Sequence, residues 1–188
     1  MSVFLVGLMG AGKSTVGRLL ARELHFDFVD SDHEIEARTG VKIPVIFDVE
    51  GEAGFRKREA VVIDELTQRP NVVLGTGGGA VLLEENCKHL RERGTVVYLR
   101  TPLNELWYRV QHDRNRPLLH TPNPKQKLAE LLKMRAPMYE AVADIIVESN
   151  GQSASHVVQK ILAELHKLPQ SSAISQPIQS IDSSQNTH

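Results

Sequence analysis

Short apolar runs alternate with longer amphipathic stretches along this chain, and that alternation predicts strands separated by helices. Val3 to Val6 form an apolar run that stops at Gly7, which predicts a buried strand. Four further runs predict strands by the same criterion: FDFVD ending at Asp30, NVVLGT, TVVYL and ADIIVES. Strands that alternate with helices favour an α/β sandwich built around a parallel sheet.

Between these strands the apolar positions recur at helical spacing. The first helix is predicted from Lys13 to about His25, because Val16, Leu19, Leu20 and Leu24 then share one face. A short helix is predicted from Asp32 until Gly40 stops it, and a helical turn after Ile43-Pro44 precedes a longer helix from about Gly51 to Gln68. The next predicted helices are EENCKHLRER, closed by Gly94, and one that starts with the Thr101 hydroxyl as its cap and Pro102 at its first position and runs to about Arg114. The last two are one from near Pro124 past Met134 and SASHVVQKILAELHKL.

Two segments break this regular alternation. RNRPLLHTPNPKQ has three prolines and no periodicity, which predicts a loop, and we expect residues 113–125 to act as a mobile lid. Beyond Leu168 the chain is rich in Ser and Gln and nearly uncharged, so we predict a disordered tail over 169–188. Residues 1–168 are predicted to form a single domain.

Composition narrows the classes of protein to which the chain could belong. Its 188 residues suffice for a core without disulfides, and its formal net charge of -1 does not indicate a nucleic-acid-binding surface. The single cysteine, Cys87, suits a reducing compartment. No apolar run approaches the ~20 residues needed to span a bilayer, and the N-terminal segment lacks the charged start of a signal peptide. We therefore predict a cytoplasmic protein with no nucleic-acid or membrane partner.

A complete phosphate-binding motif follows the first predicted strand. GLMGAGKS, Gly7 to Ser14, matches G-x-x-x-x-G-K-[ST] and lies in the required context, between a buried strand and an amphipathic helix. Its glycines let successive N–H groups converge on phosphate oxygens, and the helix N-terminus adds partial positive charge. Lys13 is predicted to reach the β- and γ-phosphates and Ser14 to ligate Mg²⁺. The predicted nucleotide-binding residues of this segment are Gly10, Ala11, Gly12, Lys13, Ser14 and Thr15.

GTPases, motor ATPases and small-molecule kinases share this loop. The chain has no N-K-x-D type element for base recognition and no hydrophobic strand that ends in D-E. Its length also disfavours motors and DNA-handling ATPases. These observations favour a small kinase with the architecture of the nucleoside-monophosphate kinases.

The strand NVVLGT ends in Thr76 and a run of glycines, where many P-loop enzymes have an aspartate that helps to hold magnesium. Asp30 and Asp32, at the end of the second strand, are the alternative acidic groups. As residues i and i+2 of a strand they would face one site at the carboxyl edge of the sheet. The spacing is equally compatible with Asp32 or Ser31 capping the next helix.

Three arginines occupy positions that suit anion binding. Arg116 precedes Pro117 in the predicted lid, Arg56 follows EGEAGF, and Arg135 precedes Ala136-Pro137. A guanidinium pairs bidentately with carboxylates and clamps phosphates. For any one of these arginines taken alone, a solvated surface position is the favoured interpretation.

Taken together, these stretches resemble the shikimate kinase family. The matching pieces occur in the family's order and spacing over roughly residues 1 to 167: GLMGAGKSTVGR, FVDSDHEIE, IFDVEGEAGFRKRE, GTGGGAV, RNRPLL and KMRAPMYEAVAD. The resemblance implies ATP- and Mg²⁺-dependent phosphorylation of the 3-hydroxyl of shikimate, on the pathway to chorismate and the aromatic amino acids. It also implies a three-layer P-loop fold, with a five-stranded parallel sheet in order 2-3-1-4-5, helices on both faces, a moving lid and a monomer.

The resemblance also implies roles for residues around the phosphates. Asp30 would support Mg²⁺ through water beside Ser14, Arg116 would close from the lid, and Arg109 would lie over the adenine. Asp32 would bind the ring hydroxyls and orient or deprotonate the nucleophile. The implied catalytic residues are Lys13, Asp32 and Arg116.

On the substrate side, the resemblance implies that Arg56 and Arg135 pair with the shikimate carboxylate while Glu59 holds Arg56. The glycine run would offer N–H groups where a side chain would collide with the substrate ring. The implied substrate-binding residues are Asp32, Phe47, Phe55, Arg56, Gly77, Gly78, Gly79 and Arg135.

Two other functions were weighed against this one. A kinase of another small hydroxy acid, such as gluconate, would also suit the paired arginines, but the glycine run and RNRPLL favour shikimate. A non-catalytic ATP-binding sensor domain is the alternative from a different class. The intact Lys13, Ser14 and acidic pair argue against that sensor domain.

Overall fold

A computed structural model describes residues 1–168 of the protein. The tail predicted to be disordered, 169–188, lies outside the described residues, so that prediction stays untested. Within the described part of the chain, no helix has the length and apolar character that a membrane crossing requires.

Five parallel strands form the predicted sheet in the predicted order, β2-β3-β1-β4-β5. β1 is wholly buried and pairs with β3 on one side and β4 on the other, so the phosphate-binding loop leaves the centre of the sheet. β2 is the edge strand beside β3, with Asp30 in register with Gly75. The strands are β1 (Val3–Val6), β2 (Asp27–Asp30), β3 (Val72–Gly75), β4 (Thr95–Arg100) and β5 (Ile145–Glu148).

Seven α-helices of the described chain cover both faces of this sheet and complete the expected three layers. The first and last helices pack against each other on one face, and the third, fourth and sixth pack together on the other. The helices are α1 (Lys13–Leu24), α2 (Ser31–Thr39), α3 (Ile43–Thr67), α4 (Glu84–Arg93), α5 (Leu103–Val110), α6 (Pro124–Val142) and α7 (Ala154–Lys167).

Gly51 divides α3 into the two pieces that the sequence predicted. Its φ of 72° and ψ of 178° are not helical, and a residue with a side chain rarely adopts that positive φ. The short N-terminal piece therefore leaves the axis of the longer one. The change of direction places Ile43 and Phe47 over the carboxyl edge of the sheet, where the site lies.

The predicted start and end of α5 were wrong. The helix begins at Leu103, preceded by Pro102 as the N-cap, and the buried Thr101 hydroxyl makes no hydrogen bond. It ends at Val110 instead of continuing to Arg114. Proline cannot donate a backbone N–H, but its fixed φ suits the cap as well as the first helical position, so the Thr-Pro pattern did not fix which residue is the cap.

The predicted lid region is irregular, as expected, and contains one short 3-10 turn at Pro117–Leu119. Leu119 is buried in this turn, which anchors the segment on the domain. The neighbouring Arg116 is thereby held at the edge of the central cleft.

Candidate active site

A cleft of about 430 Å³ opens at the carboxyl ends of the central strands. Its walls come from the phosphate-binding loop, the start of α2, the first turn of α3 and the lid. A smaller pocket of about 70 Å³ adjoins it. The two share Met9, Asp32, Gly78 and Arg116 among their lining residues, so a ligand in one lies beside a ligand in the other.

The glycines of the phosphate-binding loop are required by its backbone. Gly10 has a φ of +83°, and a Cβ there would lie 2.8 Å from Val110 Cγ1. Gly12, the N-cap of α1, has a φ of +92°. Both conformations are rarely adopted by residues with side chains, so the loop depends on glycine at these positions.

Lys13 lies in this loop with its ammonium against backbone oxygens. Nζ donates to the carbonyl of Gly7 at 2.6 Å and to that of Leu8 at 3.0 Å. Burial lowers the pKa of Lys13 to about 8, and the Asp32 carboxylate partly offsets that effect. A triphosphate bound beside it would supply the negative charge that favours the protonated form.

The other predicted nucleotide-binding residues are placed unevenly. Gly10, Gly12, Ser14 and Thr15 line the cleft. Ala11 does not: it is buried, and its N–H donates to the carbonyl of Leu8 at 3.1 Å. The motif places Ala11 within the loop, but its backbone N–H is already used in a hydrogen bond within the loop. The structure therefore gives no support for direct contact between Ala11 and a nucleotide.

Asp30 uses its two carboxylate oxygens for two different contacts. Oδ2 accepts a hydrogen bond of 2.7 Å from the Ser14 hydroxyl. Oδ1 caps α2, accepting from the N–H groups of Asp32 at 3.0 Å and His33 at 3.3 Å. The cap is therefore Asp30, and neither Asp32 nor Ser31 has that role.

Asp32 reaches the cleft by a different route from the one that strand spacing predicted. α2 already begins at Ser31, so Asp30 and Asp32 are not alternate residues of one strand. Both carboxylates nevertheless line the cleft. Burial, Asp30 and Glu59 raise the pKa of Asp32 to about 7, in that order of importance. A carboxyl group with that pKa can exchange a proton near neutral pH.

Each glycine after Thr76 is close to a different neighbour. A Cβ on Gly77 would lie 2.7 Å from Glu59 Oε2 and 2.8 Å from Asp32 Oδ1, so both carboxylates converge above its α-carbon. A Cβ on Gly79 would overlap the Arg56 guanidinium. At Gly78 the nearest atom would be 3.5 Å away, an ordinary contact. A side chain at 77 or 79 would therefore displace charged groups of the protein's own pocket from their present positions.

Ser31 is a site residue that the sequence did not identify as such. It is fully buried, and its hydroxyl accepts a 3.0 Å hydrogen bond from the N–H of Gly77. The N–H of Gly77 is therefore already paired within the protein, although Gly77 lines the smaller pocket. Nothing in the sequence pairs Ser31 with a residue so distant along the chain.

Arg56 and Glu59 form a buried ion pair on α3. Arg56 Nη1 lies 2.8 Å from Glu59 Oε1, and Nη2 lies 3.1 Å from Glu52 Oε1. Glu59 is fully buried, and burial raises the pKa of its carboxyl group although Arg56 opposes the shift. This confirms the expectation that Glu59 holds Arg56.

Arg135 is a buried cation without a counter-ion. It is 2% exposed, and among residues 1–168 no carboxylate lies within 4.0 Å of it. Burying an unpaired charge costs several kcal/mol, about 3–5 when a partner has been removed. Such a group is expected where an anionic ligand supplies the missing partner.

Unpaired polar atoms concentrate in the smaller pocket. Four of the eight buried side-chain atoms that lack a hydrogen-bond partner in the described chain line it: Asp32 Oδ1, Arg56 Nε, Glu59 Oε2 and Arg135 Nε. Buried polar atoms are nearly always paired in native proteins. Their concentration here marks a site for a polar ligand that carries both acceptors and donors.

The predicted aromatic wall is present in the same pocket. The rings of Phe47 and Phe55 have centroids 5.0 Å apart, and both line it. Phe55 is buried, and the Arg56 guanidinium carbon lies 5.1 Å from its ring centroid. The pocket thus combines an apolar wall with three guanidinium groups, those of Arg56, Arg116 and Arg135, and two carboxyl groups.

Arg109 and Arg116, the other two arginines among the predicted site residues, border the larger cleft. Arg109 donates to the carbonyl of Gly10 at 2.9 Å and lies 3.3 Å from Glu105 Oε2, so its guanidinium covers the phosphate-binding loop. Arg116 Nε donates to Asp113 Oδ2 at 2.8 Å, and Arg116 lines both the cleft and the pocket. Arg116 is therefore at the boundary between the two compartments.

Comparisons with known proteins agree on one family. The family model described as shikimate kinase matches residues 9–166. A shikimate kinase of Cupriavidus pinatubonensis is 57% identical over 164 residues, which cover 87% of this chain and 85% of that one.

Solved structures give the same result. The chain superimposes on a shikimate kinase from Acinetobacter baumannii, determined in complex with shikimate, with a TM-score of 0.87 and 52% identity over 89% of this chain and 95% of that one. A gluconokinase from Sinorhizobium meliloti matches with a TM-score of 0.54 at 18% identity, over 88% of this chain and 91% of that one. The gluconokinase match shows a common fold alone.

Proposed function

The chain belongs to the shikimate kinase family, and we propose that it transfers the γ-phosphate of ATP to the 3-hydroxyl of shikimate, giving shikimate 3-phosphate and ADP. The observation that supports this most directly is the pocket beside the phosphate-binding loop. It places two guanidinium groups, Arg56 and Arg135, with two carboxyl groups next to the position of the transferable phosphate.

The nucleotide is proposed to bind in the larger cleft with its phosphates on the loop. Converging N–H groups at the start of α1 and the Lys13 ammonium would hold the β- and γ-phosphate oxygens. In doing so Lys13 exchanges its two carbonyl partners for phosphate oxygens. Arg109, lying on the loop, would cover the bound base.

Ser14 in the first turn of α1 and Asp30 at the end of β2 fit a magnesium ion. Ser14 Oγ and Asp30 Oδ2 are hard oxygen donors 2.7 Å apart beside the phosphate-binding loop. Mg²⁺ in proteins commonly takes one or two such ligands and completes its shell with phosphates and water. When bound, the ion would neutralise charge on the β- and γ-phosphates.

Shikimate is proposed to bind in the smaller pocket through its carboxylate. Arg135 is buried and has no counter-ion, so a ligand carboxylate would remove an unfavourable unpaired charge. Arg56 is already oriented by Glu59 and can offer its other edge. Phe47 and Phe55 would pack on the ring, and the N–H groups of Gly78 and Gly79 would face the ligand.

Asp32 is proposed to orient the 3-hydroxyl and to accept its proton. The hydroxyl oxygen forms a bond to the γ-phosphorus while the bond from that phosphorus to the ADP oxygen breaks, and the hydroxyl proton passes to the Asp32 carboxylate. Because phosphoryl transfer has a loose transition state, most of the rate comes from positioning and charge neutralisation. Lys13 and Arg116 would supply positive charge to the transferring phosphoryl group.

Lid closure is proposed to complete this arrangement. Arg116 reaches both compartments from the irregular segment around Pro117–Leu119. Closure over the phosphates would exclude water that could otherwise hydrolyse ATP. We also propose that the protein is a monomer, as the family resemblance implies, and that it is cytoplasmic without nucleic-acid or membrane partners, which rests on its composition and charge.

An acceptor panel tests the proposed activity. ADP release from Mg-ATP is measured with shikimate, gluconate and nucleoside monophosphates, and we expect release that depends on shikimate. A Lys13→Met variant serves as the control that lacks the phosphate contact. No shikimate-dependent release at millimolar concentration would contradict the proposal, release with gluconate alone would favour the other hydroxy-acid kinase, and equal release with every acceptor would indicate a bare ATPase.

A further inference from the structure

Tyr139 makes a contact that neither the motif set nor the proposed mechanism uses. Its hydroxyl donates a 2.5 Å hydrogen bond to the carbonyl of Gly78, 61 residues away along the chain. Tyr139 is 1% exposed and lines neither the cleft nor the pocket. It therefore contacts the glycine segment Gly77–Gly79 without lining either ligand compartment itself.

The position of Tyr139 on α6 relates this contact to ligand binding. Arg135 precedes it by four residues, so the two side chains lie on the same face, one turn apart. Arg135 Nη1 would lie 3.6 Å from a Cβ on Gly78, so the guanidinium is on the ligand side of the same glycine. One turn of α6 thus contacts Gly78 through the Tyr139 hydroxyl and the Arg135 guanidinium, which lie beside each other.

The surroundings of Tyr139 fix the position of its hydroxyl and keep that hydroxyl protonated. Its ring packs on that of Tyr98 in β4, with centroids 5.1 Å apart. Burial raises the pKa of Tyr139 well above its ordinary value, against the opposing effect of Arg135. The phenol therefore remains protonated and can donate throughout the pH range in which the protein is folded and active.

We propose that Tyr139 is a positioning residue, which ties the glycine segment to α6 and so fixes the spacing between Arg135 and the N–H groups of Gly78 and Gly79. A ligand carboxylate can then bind the Arg135 guanidinium and the backbone N–H groups simultaneously, without movement of α6 or of the glycine segment. A site held in advance in this way loses less entropy when its ligand binds. This inference rests on the proposed function, because it assigns these donors to the substrate carboxylate.

Tyr139→Phe tests the proposal, since phenylalanine keeps the ring and its packing on Tyr98 and removes only the hydroxyl that contacts Gly78 and Arg135. We expect the KM for shikimate to rise roughly tenfold, the effect of one lost buried hydrogen bond, with kcat and the KM for ATP changed less than twofold. Tyr98→Phe is the matched control. It removes a neighbouring buried-ring hydroxyl that does not contact Gly78, and we expect all three constants to stay within twofold.

A double-mutant cycle separates positioning from general loss of stability. If Tyr139 acts by aligning the glycine segment with Arg135, its replacement has little further effect on the shikimate KM in an Arg135→Met background. Additive effects would overturn the proposal, as would an unchanged KM in the single variant or equal rises for ATP and shikimate. A wild-type protein inactive on shikimate would instead refute the proposed function, so the two failures are distinguishable.

A measurement on the wild-type protein remains decisive should Tyr139→Phe not fold. Proton NMR of the ligand-free protein is expected to show a Tyr139 hydroxyl proton in slow exchange with water and close in space to the α-protons of Gly78 and Gly79. The same contacts are expected after shikimate is added. A hydroxyl proton that exchanges rapidly in the free protein and is protected only with shikimate would show that the glycine segment is not held in advance.

Discussion

Ser14 Oγ donates a 2.7 Å hydrogen bond to Asp30 Oδ2, while the other oxygen of the same carboxylate caps α2. The Asp30 side chain therefore joins the phosphate-binding loop to the helix that carries Asp32. The negative charge of Asp30 and its capping of α2 are therefore two separate properties, and different substitutions can remove them one at a time.

Replacement of Asp30 tests that separation. Asn is as good an N-cap as Asp, so Asp30→Asn is expected to keep the stability of the protein while raising the Mg²⁺ concentration needed for half-maximal activity about tenfold. Asp30→Ala is expected to lose in addition about 1 kcal/mol of unfolding free energy. Urea unfolding and magnesium titrations of activity measure the two effects. Equal stabilities of the Asn and Ala variants would show that the cap contributes nothing.

Asp32→Asn is expected to reduce kcat by roughly 10²–10⁴-fold, the range for loss of a positioned acid–base group. The affinity for ATP, followed with a fluorescent nucleotide, should change little, because the phosphates are proposed to be held by Lys13 and the N–H groups of the loop and not by Asp32. Asp27→Asn, an exposed carboxylate on the same β2–α2 segment, is the matched control and should leave kcat unaltered. Parallel losses of turnover and ATP affinity in Asp32→Asn would indicate a structural role.

The raised pKa of Asp32 also predicts how stability depends on pH. Its folded pKa of about 7 exceeds the model-compound value of 3.8, so the folded state binds more protons between those values, and the Asp32 contribution to stability is lost as pH rises from about 4 through 7. The full effect is on the order of 4 kcal/mol.

Urea unfolding of the ligand-free protein between pH 4 and 8 measures this contribution. The stability advantage of Asp32→Asn over the wild type is expected to grow with pH across that window and to level off above pH 7. An advantage that is constant with pH would mean that the carboxyl group titrates normally in the folded protein.

Arg135→Met is expected to separate stability from function. Because the guanidinium is buried without a counter-ion, the unliganded variant should be as stable as the wild type or about 1 kcal/mol more stable. The KM for shikimate should rise by the equivalent of about 2–5 kcal/mol of binding free energy. Thermal unfolding and steady-state kinetics give both values. Arg58→Met, which removes an exposed arginine paired with Glu50, is the control and should leave the KM unchanged.

Alanine substitutions distinguish the three glycines of the Gly77–Gly79 segment. A Cβ at 77 or 79 meets the charged groups of the pocket, so those variants are expected to lose about 1–3 kcal/mol of unfolding free energy without any ligand. Gly78→Ala should keep its stability, because its Cβ would make only ordinary contacts. Any rise in shikimate KM for Gly78→Ala then reports a contact with the substrate. Similar destabilisation of all three variants would show that the segment as a whole rejects a side chain.

The sequence by itself determined the elements and the phosphate-binding site. Alternation of apolar runs located all five strands, the longer part of α3 was predicted to start at about Gly51, and GLMGAGKS was sufficient for the nucleotide loop. These features depend on residues close together in the chain, where periodicity, helix breakers and loop glycines act locally. The set of motifs also pointed to the family, although their arrangement in space was taken from the resemblance.

The tertiary structure decided how the acidic pair and the glycines divide their roles. Whether Asp30 or Asp32 caps α2 depends on the residue at which β2 gives way to helix, which spacing leaves ambiguous. The Ser31–Gly77 and Tyr139–Gly78 hydrogen bonds join residues 46 and 61 positions apart. Such contacts arise only when α2 and α6 pack at the carboxyl edge of the sheet. A hydrogen bond requires two groups within about 3 Å of each other, and the sequence around one partner carries no information about which distant residue the fold brings to it.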